Sequence, residues 1–189
     1  LSVPGYTGGD GRSLLLADPH IQDHGEAWWC IAACGALLKD SETLALIVGL
    51  FEDMLDPAAG IFHEDGTFYE CAADYQQGLL QGLSGIPEVI RGNLDGDIYA
   101  NPKCALLERC YTWFLDASYP DGTIPAINDS HVGSRLRPLC SEVAGIRYGN
   151  RKALKHLREL WGPDLECGSE FSLFCREPGT NADILPESS

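Results

Sequence analysis

Between Ser41 and Leu55 the apolar side chains Leu44, Ile47, Val48, Phe51 and Leu55 recur every three or four residues, the spacing that puts them on one stripe of an α-helix. The same period returns along most of the chain, and the two-residue alternation of a half-buried strand is nearly absent. Trp28, Ala32, Gly35 and Leu38, interleaved with Trp29, Ala33 and Ala36, predict a helix from Gly25. Ser41 is a candidate N-cap for the next helix, which Asp56-Pro57 ends. A third helix is predicted over 69–83, interrupted by Gly85 and Pro87, and a stretch rich in Gly, Asp and Asn follows over 92–101. Pro102 suits the first turn of a fourth helix, whose stripe is Leu107, Cys110, Tyr111, Phe114 and Leu115. A long loop over 119–132 leads to two more helices, 138–148 and 150–161, parted at Gly149-Asn150. The one strand signal is Phe171-Ser172-Leu173-Phe174. About six helices in antiparallel pairs predict an all-α fold of helical hairpins, either a bundle or part of an incomplete α/α toroid.

The chain has 189 residues, the length of one domain. It divides into an irregular segment over 1–23, a helical part over 24–162 and a tail over 163–189. With 44% hydrophobic and 22% charged residues it has enough apolar surface to bury a core, which excludes a disordered chain. Its 28 acidic residues against 13 basic ones give a formal charge of −15, and this excludes a nucleic-acid binder, whose phosphate contacts need a basic footprint. No apolar run is long enough to span a membrane.

The eight cysteines form no Cys-x-x-Cys pair, which disfavours a zinc ribbon or thioredoxin-type site. Most are expected to be small buried apolar residues, with Cys167 and Cys175 a candidate disulfide pair, and Cys30 and Cys34 share one face if their segment is helical. Of the five histidines His20 and His24 stand at His-x-x-x-His spacing, but the His-Glu-x-x-His motif, the Gly-x-Ser-x-Gly elbow and a phosphate-binding loop are all absent. Nothing in these patterns calls for a metal or a cofactor.

Three segments carry a resemblance in their order along the chain. The first is Gln22-Asp23-His24-Gly25-Glu26-Ala27-Trp28-Trp29, at a helix start. The second is Asp65-Gly66-Thr67-Phe68-Tyr69-Glu70-Cys71-Ala72-Ala73-Asp74-Tyr75. The third is Tyr119-Pro120-Asp121-Gly122-Thr123-Ile124-Pro125-Ala126-Ile127-Asn128-Asp129-Ser130. They resemble the Asn-Asn-His-Gly, Asp-Gly-x-x-Tyr-Glu-Gly-Ser-Pro-x-Tyr and Asp-Gly-x-x-Pro-x-x-Gly-Asp segments of the heparinase II/III-like and alginate-lyase-like polysaccharide lyases. The resemblance spans roughly residues 22 to 162. It implies an incomplete α/α toroid followed by β-sheet domains, of which this chain would be the later toroid half. The partners implied are the rest of that polypeptide and an acidic polysaccharide, and the compartment implied is secreted or periplasmic.

Such lyases cleave by β-elimination, which needs a group to neutralise the uronate carboxylate, a base for the C5 proton and an acid for the departing O4. The resemblance gives catalytic roles to His24 and Tyr75. The substrate-binding candidates are Gln22, Asp23, Glu70 and Asp129 within the resembling segments, and beside them His131, Arg135, Arg137 and Trp28, which with Trp29 could stack on sugar faces although one of the two belongs to the core. Gln22 is a candidate donor to the carboxylate, because Asp23 stands where the lyases carry Asn. Gln76 departs similarly, standing where several relatives carry His or Trp. Glu70 either orients His24, contacts sugar or favours a helix N-terminus. His131 is a candidate second proton carrier. Arg135 and Arg137 belong to a basic cluster, with Arg147, Arg151, Lys152, Lys155 and Arg158, that either faces a polyanion or forms a solvated helix face. Two other readings remain open: a glycoside hydrolase pairing Asp65 or Glu70 with Asp129, and a non-catalytic helical binding or scaffold fragment.

Overall fold

In the computed structural model, residues 21–162 are described together with Ser169, Phe171 and Cys175, with side chains from Ala27 onward. Seven α-helices succeed one another among these residues: α1 (Ile21–Leu38), α2 (Ser41–Leu55), α3 (Ala73–Leu83), α4 (Gly85–Asn93), α5 (Leu106–Ala117), α6 (Pro138–Tyr148) and α7 (Arg151–Trp161). Short 3-10 turns at Pro57–Ala59, Ile98–Ala100 and Pro102–Cys104 fill the connections. The described residues hold no strand, only two isolated antiparallel bridges, Phe62 with Phe68 and Thr123 with Arg135. The fold is all-α, as the periodicity predicts.

Local chemistry sets the helix ends, and it corrects several expected boundaries. α1 begins at Ile21, inside the segment read as irregular. The N-cap of α2 is Asp40 rather than Ser41: its extended backbone lets one carboxylate oxygen accept from the amides of Glu42 and Thr43, and the other from the Thr43 hydroxyl at 2.7 Å. The third helix starts at Ala73, not Tyr69. The Tyr69 amide is taken by the Ile61 carbonyl at 2.9 Å, and Cys71 stands at φ 53°, outside helical geometry. Gly85 and Pro87 do not interrupt a helix but open one. α4 starts at Gly85 with Pro87 in its first turn, where the missing N–H has no helical partner to lose. Asn150 caps α7 through the amides of Lys152 and Ala153, and Gly149, at φ 64°, ends α6.

α1 packs on α2, α3 and α4, while α5 packs on α6 and α6 on α7. α3 lies between the two groups, touching α5 and α6 as well as α1. One continuous core joins them, built around Trp28, Phe51, Phe62, Phe68, Tyr111 and Phe114. Fully burying a side chain of this class stabilises by roughly 1.5–3 kcal/mol, so this core fixes the helix registers on which everything polar depends. Of the strand expected over 171–174 only Phe171 is described, and it is helical rather than extended, its carbonyl accepting from the Cys175 amide at 2.8 Å and its side chain buried in the core.

Candidate functional site

Two loops meet at the N-terminal end of α3, and they carry the second and third resembling segments. In the first loop, Asp65 accepts from the Thr67 amide at 2.9 Å, and the Gly66 amide donates to the His63 carbonyl, closing the Asp-Gly turn. Hydrogen bonds from Thr67 hold the Asp65 carboxyl below its ordinary range. Gln76, one turn into α3, anchors this loop from beneath. Its Oε1 accepts from the Phe68 amide at 2.8 Å, and its Nε2 donates to the carbonyls of Gly66 at 2.8 Å and Cys110 at 3.2 Å. Gln76 is thus a buried strut between loop, α3 and α5, with no face toward solvent.

The second loop, 118–137, folds back on itself. The Ile124 amide donates to the Ser134 carbonyl, the Leu136 amide to the Gly122 carbonyl, and Arg135 to the Asp121 carbonyl. A polar face of α3, Asp74, Gln77 and Gln81, then grips it. One Asp74 oxygen accepts from the His131 amide at 2.6 Å, the Ser134 hydroxyl at 2.6 Å and the His131 ring Nδ1 at 3.3 Å. The Asp74 amide donates to Ser130 Oγ at 3.2 Å. Gln77 Oε1 accepts from the Arg137 amide at 2.6 Å, and the Arg137 guanidinium donates to Gln81 at 2.9 Å. Burial raises the Asp74 pKa, but the bonds from Ser134 and His131 outweigh it and leave the carboxyl below its ordinary value.

The loops also touch each other, where Asn128 Nδ2 donates to the Glu70 carbonyl at 2.6 Å. Asn128 stands at φ 50° and Cys71, beside Glu70, at φ 53°. Two left-handed non-glycine residues on either side of one hydrogen bond are a local strain that the surrounding packing must hold.

The expected site residues distribute as follows. Tyr75, on the first turn of α3, is 39% exposed. Glu70 is half-buried and accepts from the Tyr69 hydroxyl at 2.9 Å. Asp129 is exposed, as are Arg135 and Arg137 on the same loop. The His131 ring faces solvent, tethered to Asp74. Trp28 lies in the core at 2% exposure and has no face free for a sugar; the tryptophan open to solvent is Trp29, at 44%. Gln22, Asp23 and His24 lie on the backbone of α1, which packs along α3, and their side chains fall outside the described residues.

The basic cluster does not act as one face. Arg147 is buried in a bidentate pair with Glu88, at 2.8 and 2.6 Å, and Lys152 pairs with Asp116. Arg135 and Arg137 are held to α3 through Gln77, which donates to the Arg135 carbonyl and accepts from the Arg137 amide, while their guanidinium groups donate to the Asp121 carbonyl and to Gln81. The junction thus holds an imidazole bonded to the Asp74 carboxylate and two guanidinium groups bonded to neighbouring oxygens, with Tyr75 on the same first turn of α3.

Asp74, Gln77 and Ser134, which build the junction, are not among the residues the sequence singles out. The available signal is Asp74, Gln77 and Gln81 at helical spacing on one polar face. A groove of about 550 Å³ lies elsewhere, between the end of α2 and the start of α5, lined by Glu52, Asp56, Glu64, Lys103 and Arg109 among others. The described residues include no group of three or more His, Cys, Asp or Glu side chains that could hold a metal ion.

No protein family, no curated protein and no solved structure matches this chain.

Proposed function

We propose that this chain forms part of the α/α toroid of a polysaccharide lyase that cleaves uronic-acid-containing polymers by β-elimination. The observation that carries the reading is the clamp of Asp74. It draws the third resembling segment onto the helix that begins with the second, so that Tyr75 and His131 stand on adjoining elements. In this reading Arg135 and Arg137 meet the uronate carboxylate, and their charge stabilises the enolate-like intermediate, the largest expected contribution to the rate. Tyr75 and His131 exchange protons with C5 and O4, and His24 and Gln22 belong to α1, which packs along α3. Asp23, an acceptor where the lyases carry a donor, is accommodated by giving carboxylate neutralisation to the arginines.

The paired-carboxylate hydrolase is the weaker reading, because Asp65 is committed to its own turn through Thr67. The test is incubation with alginate, a sulfated heparan-type polymer and other uronates, following the ultraviolet absorbance of the unsaturated uronide. Absorbance should appear with at least one polymer. It should fall by about 10²–10⁴ in Tyr75→Phe and in His131→Ala, the range of one positioned proton carrier. No absorbance with any uronate polymer, or full rates in both variants, overturns the reading.

A further inference from the structure

Cys30 and Cys34 stand one turn apart in the middle of α1, and both are exposed free thiols. The register of α1 is fixed from its other side by Trp28 and Ala32 in the core, and by Gly35, whose absent side chain leaves room for Thr43 and Leu44. Both thiols therefore point outward along the same stripe. Residues at this spacing have Cβ atoms about 5–6 Å apart. A disulfide needs about 3.5–4.5 Å, so the pair cannot close on itself without unwinding the helix. A single atom between the sulfurs, with two bonds of about 2.3 Å as in metal thiolates, spans the gap without moving the backbone.

We propose that Cys30 and Cys34 form a two-thiolate site for a soft, two-coordinate cation of the copper(I) type. Soft sulfur donors select soft ions. A structural zinc site would need four ligands, and the described residues offer no group of three or more suitable side chains. The donor set favours a soft ion: from Ala27 to Leu38 the sequence carries no charged residue, and Glu26, one turn before Cys30, offers only hard oxygen, which a soft ion does not select. Ile31, Leu37 and Leu38 lie exposed around the pair and supply no further donor. Binding breaks two S–H bonds, forms two S–Cu bonds and releases two protons, with no change in oxidation state.

Anaerobic titration with copper(I), in competition with bicinchoninate, tests the site on the whole chain. One equivalent per chain should be withdrawn from the chelator. Cys30→Ser and Cys34→Ser should each lose it while keeping the helical circular dichroism of the parent. Cys71→Ser, which removes an exposed thiol without a helical partner, should retain it. Three results would overturn the proposal: no copper withdrawn by the parent, copper retained by either single serine variant, or one copper per two chains, which would place the thiolates on different copies.

Discussion

Asp74 and His131 are 57 residues apart in sequence, yet the Asp74 carboxylate accepts the backbone amide of His131 at 2.6 Å. With Ser134 on the same oxygen, this ties the loop over 118–137 to the first turn of α3. Hydrogen bonds to a charged group contribute about 1.5–3 kcal/mol. Asp74→Ala is therefore expected to lower the urea unfolding free energy by about that amount and to speed proteolytic cleavage within 126–133. The carboxyl titrates below its ordinary value of 3.8 in the folded chain. Its stabilisation is then complete above the unfolded pKa and is lost as pH falls through the lower folded pKa. The difference in stability between parent and Asp74→Ala should stay constant at neutral pH and shrink below about pH 4. A difference that persists unchanged to lower pH would show that the clamp does not depend on the carboxylate.

Gln76 is expected to matter more than its neighbours on α3. Replacing it with Leu keeps the volume but leaves the Phe68 amide and the Gly66 carbonyl without their side-chain partner, while the Cys110 carbonyl keeps its acceptor role within α5. Each buried group left unpaired costs about 1–3 kcal/mol. Urea unfolding should show a loss of several kcal/mol in total, whereas Gln81→Leu, on the exposed side of the same helix, should change stability by less than about 1 kcal/mol.

The helices were legible wherever burial follows one stripe. The pattern of Leu44, Ile47, Phe51 and Leu55 is answered directly by the core. The start of α3 was not legible, because Tyr69 has a helix-compatible spacing but its amide is taken by Ile61 from the preceding loop. α4 was masked by Pro87, whose local reading as a breaker gives way once it occupies a first turn. At the site, the loops with their Asp-Gly turns announce themselves, since turn chemistry is local. The residues that join them do not. Asp74, Gln76 and Gln77 act through partners up to 60 residues away, and no short-range pattern encodes such pairs.

The buried pair of Arg147 and Glu88 locks α6 to α4. Both side chains are under one-tenth exposed, the Tyr99 hydroxyl donates to the same carboxylate at 2.5 Å, and Arg147 also reaches the Cys175 carbonyl. Burial and the neighbouring Glu88 push the Tyr99 phenol well above its ordinary range, so it stays a donor at every accessible pH. Arg147→Ala strands a buried carboxylate and should cost about 3–5 kcal/mol. Replacing all three groups together, with Arg147→Met, Glu88→Leu and Tyr99→Phe, should recover most of that loss, because no buried charge or donor is then left unpaired. Chemical denaturation of the two variants checks the contrast; equal losses would mean that shape, not charge pairing, holds α6 in place.

Gly66 and Gly60 both stand at positive φ, 90° and 75°, and their surroundings separate strain from collision. A methyl group at Gly60 meets nothing within 4 Å. Gly60→Ala should thus lose only the left-handed penalty, about 1–2 kcal/mol. A methyl group at Gly66 would lie 2.5 Å from the carbonyl carbon of Arg109 and 2.7 Å from the amide nitrogen of Cys110. Those are backbone atoms of α5 and cannot rotate aside. Gly66→Ala therefore forces the Asp-Gly loop off α5, and with it the Phe68 and Gly66 groups that Gln76 holds. Thermal unfolding should show Gly66→Ala losing clearly more than Gly60→Ala. Because the displaced loop carries Glu70, the variant should also weaken the contact with Asn128, read as faster amide exchange in both loops while α7 keeps its protection.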